Sequence, residues 1–542
     1  MIRKATLILL LFIFCSVLGV KAQQVKATSS GLKFSISFDK SVHQSDITGR
    51  VYLMISKNNR REPKNQVGLT GVPFWGMNVE KLAPGDQAFI NDQVFGYPLE
   101  SISEIPAGEY YIQGFINVYT EFKRSDGHTL WMHKDNWEGQ NWRRGEGNLF
   151  SNVKKVYLDP SKSEIIKLIC NNSNPAVEIP DDSKMVKRVR IKSKLLSDFW
   201  GQPMYLGATV LLPDGYDENP DEFYPVNYQH GHFSLGVPFG FRDPDAPSAS
   251  SRRSNQEFTD FWMSDDCPPL IAIKILHPCP YYDDSYAVNS PNVGPYDDAI
   301  AQELIPLLEE KFRIISQPYA RILSGGSTGG WIALAQQIFH PDFYGGVFSL
   351  CADPVDFHYY QIVDIYKDKN AYYRENEWFR VERPNTRSTD GNIRTTMANE
   401  NLYELVVGDK NRSGGQWDIW EAAYSPIGPD GYPMRVWDKR TGEINHAVAE
   451  QWKNYDLHEY LKNNWSVIGN DLKGKLFLYT GDMDSFYLNN AMELLEGFLK
   501  ETKDPYFDGH IEYGRKKPHC YGPRGIELVK MIADQVNRNV ID

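Results

Sequence analysis

The chain has 542 residues, of which 58 are lysine or arginine and 70 are aspartate or glutamate, so its formal net charge at neutral pH is -12. Such an acidic chain lacks the basic surface that binds nucleic acid or an anionic membrane. Its length is enough for about three domains of ordinary size, although an α/β fold can use more residues in one domain.

Residues 1–22 have the pattern of an export signal. A basic start precedes an apolar run over residues 5–20, and small residues precede Gln23. Because this run is shorter than the ~20 residues of a membrane span, we predict a removable signal peptide and an exported protein, periplasmic or secreted, with no membrane association after removal. An uncleaved anchor is the alternative. Lipid attachment at Cys15 is disfavoured by the bulky Phe14 before it.

Removal of this segment takes away three cations, which changes the net charge to -15, and leaves five cysteines. Cys267 and Cys279 are close in sequence, but a predicted strand between them would hold them ~20 Å or more apart. A disulfide needs Cα atoms within ~7 Å. We therefore predict no bond between these two and buried free thiols for most of the five, although export permits disulfides.

Residues 23–172 are predicted to form an all-β sandwich of the immunoglobulin-like type. Apolar and polar residues alternate over 32–38, as in a strand with one solvated face. Further short strand-like segments alternate with turns, as in such sandwiches, and they lie at residues 51–55, 110–119, 153–158 and 164–169. Residues 173–184, rich in Asn, Pro and Asp, are the predicted linker.

Three tryptophans, Trp131, Trp137 and Trp142, lie in one loop of this domain that is rich in glycine, asparagine and charge. Exposed aromatic rings can stack on sugars, so a glycan-contacting loop is one interpretation. Tryptophan also anchors interfaces. We favour the second interpretation, in which the loop packs on the following domain.

Strands and helices alternate over residues 185–542, which predicts an α/β catalytic domain with a largely parallel sheet covered on both faces. The predicted strands are 189–191, 205–212, 224–228, 270–276, 346–350 and 475–479, and the clearest helices are 297–312 and 525–536.

An insertion at residues 357–473 should leave this sheet at its carboxyl edge, where α/β sheets bind ligands. We interpret it as a cap over the site. Five aromatic residues of the insertion could line the site, but a place in the core of the cap is favoured for any one of them. They are Trp417, Trp420, Tyr424, Trp437 and Trp452.

The motif Gly-x-Ser-x-Gly at residues 325–329 follows an apolar strand and precedes a helix-compatible segment. This arrangement predicts a sharp strand–turn–helix elbow that exposes the hydroxyl of Ser327 as a nucleophile. Gly325 and Gly329 are the elbow glycines, because so tight a turn leaves no room for side chains there. The N-terminus of the following helix favours negative charge that develops at this point.

A serine nucleophile needs an oriented base, and in hydrolases of this type an acid and then a histidine follow the serine along the chain. Asp482 and Asp484 come directly after the strand at 475–479, and the Gly-x-x-Asp spacing favours Asp484. The other aspartate would then be a turn residue or a helix cap. His519, in a loop before the last helix, is favoured as the base over three other candidates, His446, His458 and His510.

Attack by Ser327 would create an oxyanion, which needs two backbone donors. We predict the amide of Thr328 as one donor, and the amide of His232 or Phe233, after the strand at 224–228, as the other. His230 and His232 lack a partner at ligand spacing, so we predict no metal site.

At this point the chain resembles the putative esterase (esterase D-like) family of α/β-hydrolases. The resemblance covers about residues 185–356 and 475–542. Its most specific parts are the Ser327 elbow and the Glu-Leu-Ile-Pro stretch at 303–306. It also rests on residues 225–232, 295–299 and 312–313 and on His519. The family includes feruloyl and acetylxylan esterases, enterochelin esterases, S-formylglutathione hydrolases and mycolyltransferases.

The resemblance implies an α/β-hydrolase fold with Ser327, Asp484 and His519 as a catalytic triad. Chemistry on such a triad needs no metal or cofactor. A β-sandwich before such a domain is similar to the enterochelin and carbohydrate esterases. The long cap departs from the family pattern, as does His232, where a second glycine is common. We therefore expect an exported serine esterase that cleaves a small-molecule or glycan-linked ester, with a carbohydrate-linked acyl or feruloyl ester as the leading substrate.

Two alternatives remain open from the sequence. A peptidase of the prolyl-oligopeptidase type shares the serine motif and the order of the triad, but it usually carries an N-terminal propeller of repeated blades, which the sequence does not indicate. A non-catalytic glycan-binding protein would keep the hydrolase scaffold without turnover.

Overall fold

The computed structural model describes residues 31–139, 141–245, 255–282 and 284–541. The predicted signal peptide lies outside the described residues, as do the first eight residues of the predicted sandwich.

The N-terminal region forms one nine-stranded sheet folded around its own apolar core. The strand order is β4-β1-β11-β9-β6-β2-β3-β5, and β10 pairs with the first half of β6. β7 and β8 form a separate hairpin. The strands are β1 Leu32–Phe38, β2 Ile47–Ser56, β3 Phe74–Leu82, β4 Ala88–Ile90, β5 Gly96–Tyr97, β6 Gly108–Val118, β7 Thr120–Lys123, β8 Thr129–Met132, β9 Leu149–Ser151, β10 Lys154–Leu158 and β11 Glu164–Ser173.

β11 joins the two layers of this sheet. It pairs in parallel with β1 up to Cys170 and then, after a bulge, antiparallel with β9. The layers face each other closely, since a Cβ atom built on Gly114 of β6 would lie 3.4 Å from the side chains of Ile36 and Leu168. The alternation that predicted β1 thus buries Ile36 between two layers.

The C-terminal region contains an eight-stranded sheet in the order β12-β13-β15-β14-β18-β19-β24-β25. β12, β13 and β15 are antiparallel neighbours, and every pair from β15 to β25 is parallel. The region is therefore mixed α/β, as the sequence predicted. The strands of this sheet are β12 Val186–Ser193, β13 Met204–Leu211, β14 Val226–His230, β15 Ile271–Leu276, β18 Arg321–Gly326, β19 Gly346–Leu350, β24 Leu476–Gly481 and β25 His510–Gly514; β16 Asn289–Ser290 and β17 Gly294–Pro295 form a small hairpin.

Helices connect these strands. The predicted helix at 297–312 is present as α3 and α4 joined by a π-helical turn at Ile300–Leu304, and the closing helix is longer than predicted. The helices outside the insertion are α1 Lys194–Trp200, α2 Gln256–Trp262, α3 Tyr296–Ala299, α4 Ile305–Lys311, α5 Thr328–Phe339, α10 Asn489–Glu501 and α11 Ile526–Ile541. None of the helices in the described part of the chain is both long and apolar enough to cross a membrane.

The insertion at 357–473 forms two hairpins and four helices. Its four candidate tryptophans are each at most 1% exposed and pack together, so they form the core of the insertion and do not line an open site. The elements are β20 Tyr373–Glu375, β21 Arg380–Glu382, β22 Pro384–Arg387, β23 Ile393–Thr396, α6 Met397–Val407, α7 Gln416–Tyr424, α8 His446–Trp452 and α9 Leu457–Ile468.

This insertion also packs against the N-terminal sheet. α6 contacts β3 and β5, and Arg50 of β2 donates to the carbonyl oxygen of Val406 at 3.0 Å. The hydroxyl of Tyr52 donates to the carbonyl oxygen of Val407. The insertion is thus held between the two sheets.

The tryptophan loop is packed as well. Trp142 stacks on Tyr52 with 4.6 Å between ring centroids, and Trp137 contacts Phe233 of the α/β region at 5.4 Å. Both tryptophans are 4% exposed. These contacts agree with the interface interpretation and leave neither ring free to stack on a sugar.

One disulfide joins Cys351 to Cys520, which are 169 residues apart in sequence. Cys170, Cys267 and Cys279 are free thiols. The prediction that Cys267 and Cys279 are not bonded agrees with this, but the sequence reasoning missed the disulfide, because neither residue has a nearby cysteine in the chain.

Candidate active site

Ser327 lies between the last residue of β18 and the first residue of α5, with φ 58° and ψ -126°. The glycines on either side are required by close backbone contacts. A Cβ on Gly325 would lie 2.1 Å from the carbonyl oxygen of Gly329, and one on Gly329 would lie 2.0 Å from that of His230. The sequence Gly-x-Ser-x-Gly therefore forms the sharp elbow because only glycine fits at these two positions.

His519 is brought to this elbow by the loop between β25 and α11. Its Nε2 atom lies 2.9 Å from Ser327 Oγ, and its Nδ1 atom lies 2.8 Å from Asp484 Oδ2. The histidine loop can approach β24 closely because Gly481 has no side chain; a Cβ there would lie 2.2 Å from the carbonyl oxygen of Lys517. The three predicted triad side chains thus form one continuous chain of hydrogen bonds.

Asp484 and Asp482 have different partners. Asp484 is fully buried, and its second oxygen, Oδ1, accepts from the backbone N–H of Phe486 at 2.8 Å. Asp482 instead accepts from the backbone N–H of Lys516 at 2.6 Å, which ties the acid loop to the histidine loop. The structure therefore places Asp484 at the imidazole and gives Asp482 a turn role.

The residues predicted to bind the oxyanion lie close to Ser327 and the start of α5. Thr328 is the first residue of α5, so its N–H has no acceptor within the helix. His232 Nε2 lies 3.5 Å from Thr328 Oγ1, and the side chain of His232 is 43% exposed. Phe233 turns away toward Trp137. The loop after β14 thus reaches Thr328, as expected of an oxyanion loop.

Asp353, in the loop after β19, lies beside Ser327 and was not singled out from the sequence. Its Oδ1 atom is 3.5 Å from Ser327 Oγ. Its Oδ2 atom accepts from the hydroxyls of Tyr286 at 2.6 Å and Thr328 at 3.0 Å. Burial raises the pKa of Asp353, while the bonds from Tyr286 and Thr328 and the nearby imidazoles oppose this rise.

The Cys351–Cys520 disulfide also belongs to the site. Cys520 directly follows His519, and the backbone N–H of Ser327 lies 3.2 Å from Cys351 Sγ. The bond therefore connects the histidine loop to the residues beside the nucleophile. A cysteine adjacent to the predicted base was the only signal of this in the sequence.

Arg387 of the insertion holds the acid loop. Its Nε donates to the carbonyl oxygen of Asp484 at 2.9 Å, and its backbone N–H donates to that of Ser485 at 2.9 Å. Its Nη2 donates to Asn489 Oδ1 at 2.9 Å. The sequence reasoning missed this residue, because an arginine 97 positions before the acid carries no local pattern.

Two groups of side chains outside this site have the composition of a metal site, namely His133 with Asp135 and Glu138, and His358 with Asp356 and Asp456. In both, the carboxylates already have partners within the chain. Glu138 lies 2.7 Å from His133, and Asp356 lies 2.8 Å from His358. We assign neither group as a metal site.

Comparison with known proteins gives one family match. Residues 279–403 match the family model described as putative esterase. No curated protein matches the chain. Among solved structures, the chain is similar to a ferulic acid esterase, with 14% identity over 66% of this chain and 99% of that chain and a TM-score of 0.36.

Two further structures have comparable similarity. An S-formylglutathione hydrolase from Agrobacterium tumefaciens has 11% identity over 66% of this chain and 93% of that chain, with a TM-score of 0.34. The fluorophosphonate-binding serine hydrolase F of Staphylococcus aureus has 13% identity over 65% and 98%, with a TM-score of 0.34.

The family match spans the elbow at 325–329 and the Glu-Leu-Ile-Pro stretch at 303–306 on which the resemblance was based. It confirms that resemblance over this segment: residues 279–403 match the putative esterase family, and the match supports hydrolysis of carboxylic esters by this chain.

Proposed function

We propose that the protein is an exported serine esterase that forms its acyl-enzyme on Ser327. The hydrogen-bonded chain Asp484–His519–Ser327 carries this proposal. Ser327 Oγ attacks the ester carbonyl while His519 Nε2 accepts its proton, and His519 then returns that proton to the leaving alcohol. Asp484 holds the imidazole with Nδ1 protonated and stabilises the imidazolium ion. Water cleaves the acyl-enzyme by the same route.

The developing oxyanion is bound by backbone donors in this proposal. The amide of Thr328 is one, and the amide of His232 or Phe233 is the other. Removal of one such donor typically costs about 3 kcal/mol of transition-state stabilisation. The N-terminus of α5 adds a favourable field at the same point.

For the substrate, we propose a carbohydrate-linked acyl or feruloyl ester. The resemblance to a family that includes carbohydrate esterases supports this choice. The two-layered N-terminal sheet, which we propose to be an immunoglobulin-like sandwich, supports it as well. Export is supported by residues 1–22 and by the Cys351–Cys520 bond, because disulfides persist mainly in oxidising compartments.

The test uses the Ser327→Ala variant beside the wild-type protein. We expect a fluorophosphonate probe to label the wild type and not the variant, with a nearly unchanged melting temperature. A panel of acetyl, feruloyl and peptide substrates then identifies the acyl group, and turnover should fall at least about 10³-fold in the variant. Labelling that survives the substitution would refute Ser327 as the nucleophile, and cleavage of peptides alone would refute the esterase.

A further inference from the structure

Asp353 is a buried carboxylate beside the nucleophile that the triad does not use. It is 5% exposed, and its two oxygens have different surroundings. Oδ2 accepts from Tyr286, from Thr328 and, at 3.4 Å, from the side-chain amide of Gln416. Three donors on one oxygen match an ionised carboxylate, which only accepts hydrogen bonds.

Oδ1 is different. Within the described parts of the chain, its one hydrogen bond comes from the hydroxyl of Ser327, at 3.5 Å. That hydroxyl has a single proton, and His519 Nε2 lies nearer, at 2.9 Å. When Ser327 donates to His519, as catalysis requires, Oδ1 of Asp353 keeps the capacity to accept a hydrogen bond from another group that enters the site.

This capacity has consequences for the substrate. A bound ester displaces water from Oδ1, and a buried charged oxygen without a donor is costly. The same oxygen would also repel the negative charge that develops on the ester carbonyl next to Ser327 Oγ. A donor on the substrate removes both penalties, whereas an ester without one leaves Asp353 unsatisfied. Sites built this way reject analogues that lack the donor.

We propose that Asp353 binds a hydroxyl group of the substrate adjacent to the ester bond, so that the enzyme selects hydroxyl-bearing esters over simple ones. This inference rests on the proposed function, because it requires attack by Ser327. The hydroxyl could belong to the alcohol, as in an ester of a sugar or another polyol, or to the acyl group, as in an ester of a hydroxy acid. Both place the same donor at Oδ1.

The test uses two isosteric ester pairs that differ only by a hydroxyl in place of a methyl group. On the alcohol side, 2-hydroxyethyl acetate is compared with propyl acetate. On the acyl side, methyl glycolate is compared with methyl propanoate. Each kcat/KM is divided by the rate constant of hydroxide-catalysed hydrolysis, which removes the difference in intrinsic reactivity. The pair that shows the preference identifies which part of the substrate carries the hydroxyl.

We expect the wild type to prefer the hydroxyl ester of one pair by about 10- to 100-fold, the size typical of a hydrogen bond to a charged group. In Asp353→Asn this ratio should fall toward one, because the charge is lost while the shape is kept. The control Asp390→Asn removes an exposed carboxylate of the β22–β23 hairpin that bonds Ser388 and Asn392, and it should keep the wild-type ratio.

Two results would overturn the proposal: wild-type ratios near one for both pairs, or a preference that persists in Asp353→Asn. The wild-type ratios decide the matter even if that variant does not fold, and fluorophosphonate labelling reports whether its nucleophile is assembled. Absence of both labelling and ester hydrolysis in the wild type would instead refute the proposed function, so the two failures are distinguishable.

Discussion

The two ring nitrogens of His519 have different partners, and this difference determines what a substitution of either partner does. Nδ1 faces the carboxylate of Asp484 and Nε2 faces the hydroxyl of Ser327. Only the tautomer with a proton on Nδ1 leaves Nε2 able to accept from the serine. Asp484 Oδ2 can only accept, and it therefore selects that tautomer.

The first prediction concerns Asp484→Asn. The amide introduced can donate to Nδ1 and so favours the wrong tautomer, and we expect kcat to fall about 10⁴-fold. The matched control is Asp482→Asn, two residues earlier, whose carboxylate bonds Lys516 and not the imidazole. Steady-state hydrolysis of a p-nitrophenyl ester measures both. Equal losses in the two variants would contradict the assignment of Asp484.

The sequence was sufficient for the residues whose neighbours in the chain determine their geometry. Ser327 was found because its elbow needs glycines two residues away on each side. Asp484 and His519 were found because each follows a strand of the same parallel sheet. Asp353 also follows a predicted strand of this sheet, but it lacks the Gly-x-x-Asp spacing that favoured Asp484, and its proximity to Ser327 depends on the pairing of β18 with β19.

At the scale of elements, the β22–β23 hairpin supports the acid loop. Arg387 donates to the carbonyl oxygens of Asp484 and, more weakly at 3.4 Å, of Asp482, and its guanidinium lies 4.3 Å from the ring centroid of Tyr487. The insertion, which the sequence indicated as a cap, thus braces the loop that carries Asp484.

The second prediction is that Arg387→Ala lowers kcat by about 10- to 100-fold while the protein remains folded. The reason is that a displacement of the acid by about 1 Å can cost on the order of 100-fold in rate. Arg374→Ala, on β20 of the same insertion, is the control because Arg374 takes no part in these bonds. Kinetics and a thermal melt of each variant test this, and an Arg387→Ala enzyme with wild-type kcat would disprove it.

The disulfide has a comparable role for the histidine loop. Cys520 follows His519 in a loop outside regular secondary structure, and Cys351 lies at the end of β19. Without the bond, the loop would be held by weaker contacts such as the hydrogen bond from Met483 N–H to the carbonyl oxygen of Lys517 at 3.2 Å.

The third prediction therefore concerns the double variant Cys351→Ala/Cys520→Ala. We expect the free energy of unfolding to fall by about 2–4 kcal/mol and kcat to fall as His519 loses its fixed position. Denaturant unfolding and ester hydrolysis measure the two effects. Cys267→Ala, which removes a free thiol, should change neither quantity appreciably. An unchanged stability of the double variant would show that the bond does not form.

At the scale of the whole molecule, the insertion joins the two sheets, and this could not be predicted from the sequence. Strand and helix periodicity indicate which face of an element is apolar, but not which of several apolar faces it meets. Periodicity thus predicted several strands of both sheets, but it missed β3 and β25 and did not indicate the packing of α6 on β3. That packing depends on Arg50 and Tyr52, more than 350 residues before their partners.

A partly buried ion cluster lies where the insertion meets the N-terminal sheet. Asp409 forms an ion pair with Arg412 and accepts from the side-chain amide of Asn78 at 2.5 Å. Burial alone would raise the pKa of Asp409, but the guanidinium groups of Arg412 and Arg50 outweigh it and lower the pKa to about 2. Because the ordinary value is higher, the ionised carboxylate stabilises the folded state at neutral pH.

The fourth prediction follows from the sign of this shift. The contribution of Asp409, at most about 2 kcal/mol, is complete above about pH 5 and is lost as the pH falls through 4 toward 2. Asp409→Asn should therefore be less stable than the wild type at pH 7, and the difference in the free energy of unfolding should shrink between pH 4 and pH 2. Denaturant titrations at several pH values measure it, with Asp86→Asn, an exposed carboxylate of an N-terminal turn, as the control. A difference that stays constant over this range would mean that the neighbouring guanidinium groups do not lower the pKa of Asp409, and that the charge of this carboxylate does not stabilise the fold.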